Sequence, residues 1–154
     1  MKLILMRHAE AVSGSFDQRR PLTSKGEKDS KKMALLLAQT GWQWTSVRSS
    51  PVERAKQTAT IICDILQCKH EIIPSLSPGV SPIQFFDSLG DDIGSQALVC
   101  VFHMPDIASV AGYILGTDSS RFYLPPGSAM AINLAHNQVA DSLQIFHYQP
   151  DFIE

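Results

Sequence analysis

The chain has 154 residues, 44% hydrophobic and 18% charged, the size and balance of one globular domain with its own core. Its 13 Lys and Arg against 15 Asp and Glu give a formal net charge of −2. No basic excess therefore supports a nucleic-acid or membrane-surface partner, and any positive site must be local.

Residues 2–6 are a short, nearly continuous apolar run, the pattern of a strand buried on both faces. The run ends at Arg7-His8, a fixed positive charge beside an imidazole that can act as a nucleophile near neutral pH. Residues 9–20 carry Gly, Ser, Asp and Gln without a period and read as a loop. Ser24 followed by Glu27 gives a capping box. Met33, Leu36, Leu37 and Thr40 then follow at helical spacing, and Gly41 supplies a left-handed end. Trp42 and Trp44 read as packing anchors.

Residues 46–49 read as a second strand. In Ser50-Pro51-Val52-Glu53 a helix is expected to start, with Ser50 as cap, Pro51 at the first helical position and Glu53 reaching back. Ala55, Ala59, Ile62 and Leu66 mark its buried face. Residues 71–73 are a short strand candidate and 74–82 a loop. Ile83, Phe86 and Leu89 mark a short helix after Pro82 that ends near Gly90. Residues 97–102 are β-branched and apolar through their centre, a strand that runs into His103. Ile107, Val110, Ala111 and Ile114 form a helical stripe closed by Gly116. Pro125-Pro126-Gly127 is a turn, and 129–134 and 143–148 are late strands expected to be neighbours. The alternation predicts an α/β fold in three layers. A mostly parallel central sheet carries helices on both faces, in a single domain spanning 1–154 without an insertion.

The apolar run before Arg7 is too short for a signal core, and the run 97–102 is far short of a membrane span. Cys63, Cys68 and Cys100 are an odd count without paired spacing, so no disulfide framework is expected. Cys63 and Cys100, in apolar contexts, read as core side chains. A reducing cytoplasm fits.

In open α/β sheets, ligands sit beyond the carboxyl ends of the strands. Arg7 and His8 end the first predicted strand, Arg54 falls in the first turn of the helix after the second, and His103 ends the strand 97–102. Singly, each has an ordinary reading: a hydrogen-bonded structural histidine, a surface arginine, a helical ion pair. Their delivery from separate segments to one sheet edge favours an anion site, and phosphate fits best. His70, His136 and His147 read as surface or structural residues, and Gly90-Asp91-Asp92 as an exposed turn. No His, Asp or Glu spacing has a metal-ligand pattern, so neither metal nor cofactor is expected.

Three segments now carry a resemblance. Leu5-Met6-Arg7-His8, Ser49-Ser50-Pro51-x-x-Arg54-Ala55-x-x-Thr58-Ala59 and Val101-Phe102-His103 resemble the histidine phosphatase superfamily, or phosphoglycerate mutase-like group, in order, spacing and strand–helix context. Arg20-Pro21-Leu22-Thr23-x-x-Gly26, Leu76-x-Pro78-Gly79 and His103-Met104-Pro105, in a compact chain, further resemble SixA-type phosphohistidine phosphatases. The resemblance runs from residue 1 to residue 148. It implies a phosphoglycerate mutase-like fold without an insertion domain. It also implies an enzyme that dephosphorylates a histidine-phosphotransfer protein of a phosphorelay. His8 would be the nucleophile, forming a covalent phosphohistidine that water hydrolyses. Arg7, Arg54 and His103 would hold the non-bridging oxygens, each charged hydrogen bond contributing about 1.5–3 kcal/mol. Arg20 is a further substrate-binding candidate. A backbone carbonyl is expected to orient the His8 ring proton, and neighbouring cations to help keep the ring neutral.

One departure is informative. Many members of the superfamily use a glutamate near the pocket as general acid, yet residues 76–84 contain no carboxylate. A monoester leaves as an alkoxide that needs a proton, whereas a protonated imidazole leaves a P–N bond far more easily, so a phosphoramidate substrate is favoured. Glu10 and Asp17 remain open as stand-in acids. Ala9 stands where many relatives have glycine, another small residue. Two alternatives remain: a small-molecule phosphomonoesterase of the same superfamily, and a phosphate-binding module without turnover, which would need no nucleophile.

Overall fold

The amino-terminal apolar run becomes a central strand. The computed structural model describes residues 1–14, 16–90, 96–134 and 142–153. His136 and the Asp91-Asp92 pair lie outside the described residues. In chain order the elements are β1 (Lys2–Arg7), α1 (Ser24–Ala38), β2 (Trp44–Ser49), α2 (Glu53–Leu66) and β3 (Lys69–Ile72). There follow α3 (Pro82–Leu89), β4 (Ala97–Phe102), α4 (Asp106–Leu115), β5 (Ala129–Asn133) and β6 (Leu143–Tyr148). The strands form one six-stranded sheet in the order β3-β2-β4-β1-β5-β6. β1–β4, β2–β4 and β2–β3 are parallel, and β1–β5 and β5–β6 antiparallel.

The alternating sides of these strands explain their unbroken apolar sequence. One face sends Ile4, Met6, Val47, Val99 and Val101 against Met33, Leu37, Ala55, Ala59 and Ile62 of α1 and α2. The other sends Leu3, Leu5, Cys100 and Phe102 against Phe85, Leu89, Ile107, Val110 and Ile114 of α3 and α4. Three layers result, as expected. Trp42 packs on Trp44 and stacks on Phe146 with ring centroids 5.8 Å apart, as an anchor should. Cys63 and Cys100 are buried free thiols. Among the described residues, no helix is long and apolar enough to cross a membrane.

Five local expectations are corrected. The cap of α1 is Thr23, not Ser24: its Oγ1 accepts from Gly26 N at 3.0 Å and donates to Glu10 Oε1 at 2.8 Å. Gly26 lies against the Glu10 backbone, where a Cβ would come within 2.1 Å of the Glu10 carbonyl oxygen. That helix ends at Ala38, before the left-handed Gly41. Ser50 does not cap α2, nor is Pro51 its first residue; the helix begins at Glu53, because the Ser50 hydroxyl is committed elsewhere. The buried side of α3 is Phe85 and Leu89, with Ile83 66% exposed, since Phe85 stacks on Phe102 at 5.4 Å. β3 starts two residues early and stops at Ile72.

This topology sets the site. β2, β4 and β1 are adjacent and parallel, with Arg7 opposite Phe102 and Ser49 opposite Val101. His8, Ser50 and His103 therefore leave the sheet at one level on one edge.

Candidate active site

Backbone bonds fix His8 first. Its N–H donates to the Phe102 carbonyl at 3.2 Å, and its carbonyl accepts from Gly127 N at 3.0 Å. Gly127 has φ +78° in the turn after Pro126, a conformation that favours glycine. The next amide, Ala9 N, donates to Thr58 Oγ1 at 3.0 Å, and that hydroxyl donates to the Arg54 carbonyl at 2.8 Å. One threonine of α2 thus joins the chain after the imidazole to the helical turn that carries Arg54.

The ring is also oriented. His8 Nδ1 lies 2.8 Å from the Ala9 carbonyl oxygen, which can only accept, so the proton resides on Nδ1. The expected backbone carbonyl is the residue's own neighbour. Nε2 is then a lone pair, and Arg54 Nε donates to it at 3.0 Å. Burial pushes the imidazole down to about 3; the Ala9 carbonyl opposes this, and Arg54, His103 and Arg7 add to it. Burial thus outweighs the cations in keeping the ring neutral.

The His103 ring centroid lies 5.2 Å from that of His8. Its Nε2 meets Ser50 Oγ at 2.9 Å, and Val52 N donates to the same oxygen at 3.2 Å. Among the described residues the Ser50 O–H has no acceptor other than His103 Nε2, so it donates there, which puts the His103 proton on Nδ1. Burial, then Arg54 and Arg7 against the opposing Asp17, lower His103 to about 4. Arg7 is anchored by a 2.9 Å bond from Nη1 to the Leu124 carbonyl. Arg7 Nε and His103 Nδ1 are buried and have no hydrogen-bond partner among the described residues, so both are donors available to an oxyanion.

Arg54, only 6% exposed, also donates Nη1 to the Asp17 carbonyl at 2.7 Å and Nη2 to Asp17 Oδ2 at 3.2 Å. Among the described residues Arg20 reaches the cluster through Asp17: its Nη2 pairs with Asp17 Oδ1, and its Nη1 donates to the Val12 carbonyl at 3.3 Å. The Arg20 bond, and secondarily Arg54, hold the Asp17 carboxyl below its usual range, so it is a carboxylate and not a proton donor at neutral pH. Glu10 accepts from the Thr23 hydroxyl at the start of α1. The carboxylate that does reach the loop after β3 comes from α4: Asp106 Oδ2 accepts from Gly79 N at 2.8 Å, and burial raises its pKa.

The structure thus brings His8, Arg54 and His103 together, with Arg7 acting on both rings and Arg20 one ion pair removed. Three contributors are invisible as chemistry in the sequence. Thr58 stands in the motif without a stated role, Ser50 reads there as a helix cap and not as a partner of His103, and the Leu124 carbonyl is backbone and leaves no signature. His70 is bonded to Ser49 Oγ at 2.9 Å and stays structural. A neutral imidazole facing a guanidinium, ringed by further donors, can attack a phosphoryl group and stabilise the charge that develops on it.

Comparison with known proteins places the chain and its fold. Residues 3–77 match the Histidine phosphatase superfamily (branch 1). An uncharacterized protein of Picosynechococcus sp. is 33% identical over 117 residues, 72% of this chain and 71% of that one. The phosphohistidine phosphatase SixA of Escherichia coli is 28% identical over 120 residues, 75% and 72% of the two chains. The structure of a protein histidine phosphatase SixA complexed with tungstate superposes with TM-score 0.85 at 21% identity, covering 100% of both chains. The chain belongs to the histidine phosphatase superfamily and has a SixA-type, phosphoglycerate mutase-like fold.

Proposed function

We propose that the protein is a cytoplasmic phosphohistidine phosphatase that acts on a histidine-phosphotransfer domain through a phosphohistidine on His8. The observation that carries this reading is the His8 ring, with its proton on the Ala9 carbonyl and its Nε2 lone pair 3.0 Å from Arg54 Nε. Nε2 attacks phosphorus, and the P–N bond to the substrate imidazole breaks with its electron pair returning to that nitrogen. Phospho-His8 keeps its Nδ1 proton. Water then attacks phosphorus and His8 departs as a neutral imidazole. Arg7, Arg54 and His103 hold the non-bridging oxygens in both steps.

Two features support a protein-borne phosphoramidate. Asp17, the carboxylate on Arg54, is held ionised and cannot protonate an alkoxide. Phe16 and Tyr123 stand next in the chain to Asp17 and Leu124, whose carbonyls bind Arg54 and Arg7, and they are 76% and 68% exposed. Exposed aromatics beside a site are the usual anchors of a partner surface. Asp106, with its raised pKa, favours a second reading, a small-molecule phosphomonoesterase; its carboxylate is held by a loop amide, not by a site residue. A phosphate-binding module without turnover would have no use for an oriented nucleophile. Side-by-side turnover of a phosphorylated histidine-phosphotransfer domain and a sugar phosphate tests the choice. A large preference for the phosphoprotein is expected, and a large preference for the sugar phosphate overturns it.

A further inference from the structure

The Asp17 carboxylate has a place in the site that neither phosphate binding nor acid catalysis accounts for. It and the nucleophile are bound to neighbouring nitrogens of one guanidinium: His8 Nε2 on Arg54 Nε, Asp17 Oδ2 on Arg54 Nη2. The Asp17 side chain is 59% exposed, whereas that of Arg54 is only 7% exposed. Its oxygens accept one bond each, from Arg20 and Arg54. A carboxylate offers about four lone-pair sites, so acceptor capacity remains on the solvent side.

We propose that Asp17 accepts a hydrogen bond from the second ring nitrogen of the substrate phosphoimidazole, keeping that nitrogen protonated while its partner leaves phosphorus. The inference rests on the phosphohistidine reading above. A phosphoimidazole without this proton must leave as an imidazolide anion; with it, the P–N bond breaks and neutral imidazole departs, its N–H bond intact. An anion facing the N–H raises the fraction of substrate carrying the proton at neutral pH. His8 shows the same arrangement on the enzyme's side, because the Ala9 carbonyl holds the proton on Nδ1 while Nε2 forms and breaks the bond to phosphorus. Transfer then runs between two imidazoles, each with its remote N–H on an oxygen acceptor. Arg20 and Arg54, the charged groups that face Asp17 from its own loop and from α2, keep it anionic and so suited to accept rather than donate.

The test is Asp17→Asn, which preserves shape and leaves the 2.7 Å bond from Arg54 to the main-chain carbonyl of residue 17 in place. Turnover of phosphoimidazole is compared with turnover of p-nitrophenyl phosphate, whose phenolate needs no proton, and with the affinity for inorganic phosphate. The variant is expected to lose about tenfold more in kcat/KM on phosphoimidazole than on the aryl ester, whatever loss the two share through Arg54 and Arg20. Parallel losses on both substrates would mean that Asp17 acts only through Arg54 and would overturn the proposal, as would an unchanged rate on phosphoimidazole. A wild-type protein that hydrolyses sugar phosphates but neither phosphoimidazole nor a phosphohistidine protein would instead remove the reading on which the proposal stands.

Discussion

Arg54 Nε donates to His8 Nε2 at 3.0 Å. The contact shows that this ring nitrogen is a lone pair, and it places the guanidinium where an entering phosphoryl oxygen would take over the same donor. Lysine at position 54 keeps the charge but loses the planar fork that spans His8 and Asp17. Arg54→Lys is expected to lower kcat/KM on a phosphohistidine substrate by about 10²–10³. Steady-state kinetics checks this, and a loss below about threefold would show that charge alone suffices.

His103 depends on Ser50 in the same manner. Without the hydroxyl, Nε2 has no partner and the proton is free to move from Nδ1, the nitrogen available to the substrate. Ser50→Ala is expected to reduce kcat about tenfold, with Ser50→Thr largely restoring it. Nitrogen chemical shifts of the His103 ring, which report the tautomer, are expected to change in the alanine variant and not in the threonine one.

Thr58 serves architecture. Valine there keeps the volume but leaves the buried Ala9 N–H and the Arg54 carbonyl without their shared hydroxyl. Thr58→Val is expected to lower unfolding free energy by about 1–3 kcal/mol, measured by urea denaturation at neutral pH.

These cases show what sequence reading reaches and where it stops. β1 and β4 are legible because both faces are covered, so nearly every residue of the runs ending at Met6 and Phe102 is apolar. Arg7, His8, Arg54 and His103 are legible because each ends a strand or opens a helix in a spaced motif. Thr23 and Ser24 are both good caps, and only the approach of Gly26 to the Glu10 backbone selects between them. Ser50-Pro51 has the composition of a helix start, but His103, distant in sequence, claims its hydroxyl. In the short helix α3, the stripe through Ile83 and the pair Phe85–Leu89 are equally periodic, and Phe102 across the core decides. Asp17 reads as a possible acid until Arg20 and Arg54 are seen to hold it ionised.

The two site histidines also make stability depend on pH. In the fold they titrate at about 3 and about 4, below the ordinary value of 6.5, and burial lowers His70 and His147 as well. As pH falls below 6.5 the unfolded chain takes up these protons first, so the stability from burying neutral rings is complete above that value. It is lost progressively down to about 4 and about 3. The urea midpoint is expected to be lower at about pH 5 than at about pH 7.5, and the His8→Asn, His103→Asn double variant should show a smaller difference. Equal midpoints for the wild-type protein would contradict the burial of neutral imidazoles.

The most direct test of the central claim is to mix the protein with a radiolabelled phosphohistidine-phosphotransfer domain, quench within milliseconds and map the label on this chain. The expected result is an acid-labile, alkali-stable adduct on the peptide containing His8, absent from His8→Ala, with inorganic phosphate released as the adduct decays. Phosphate release at full rate from His8→Ala, or an adduct on any other residue, would contradict it.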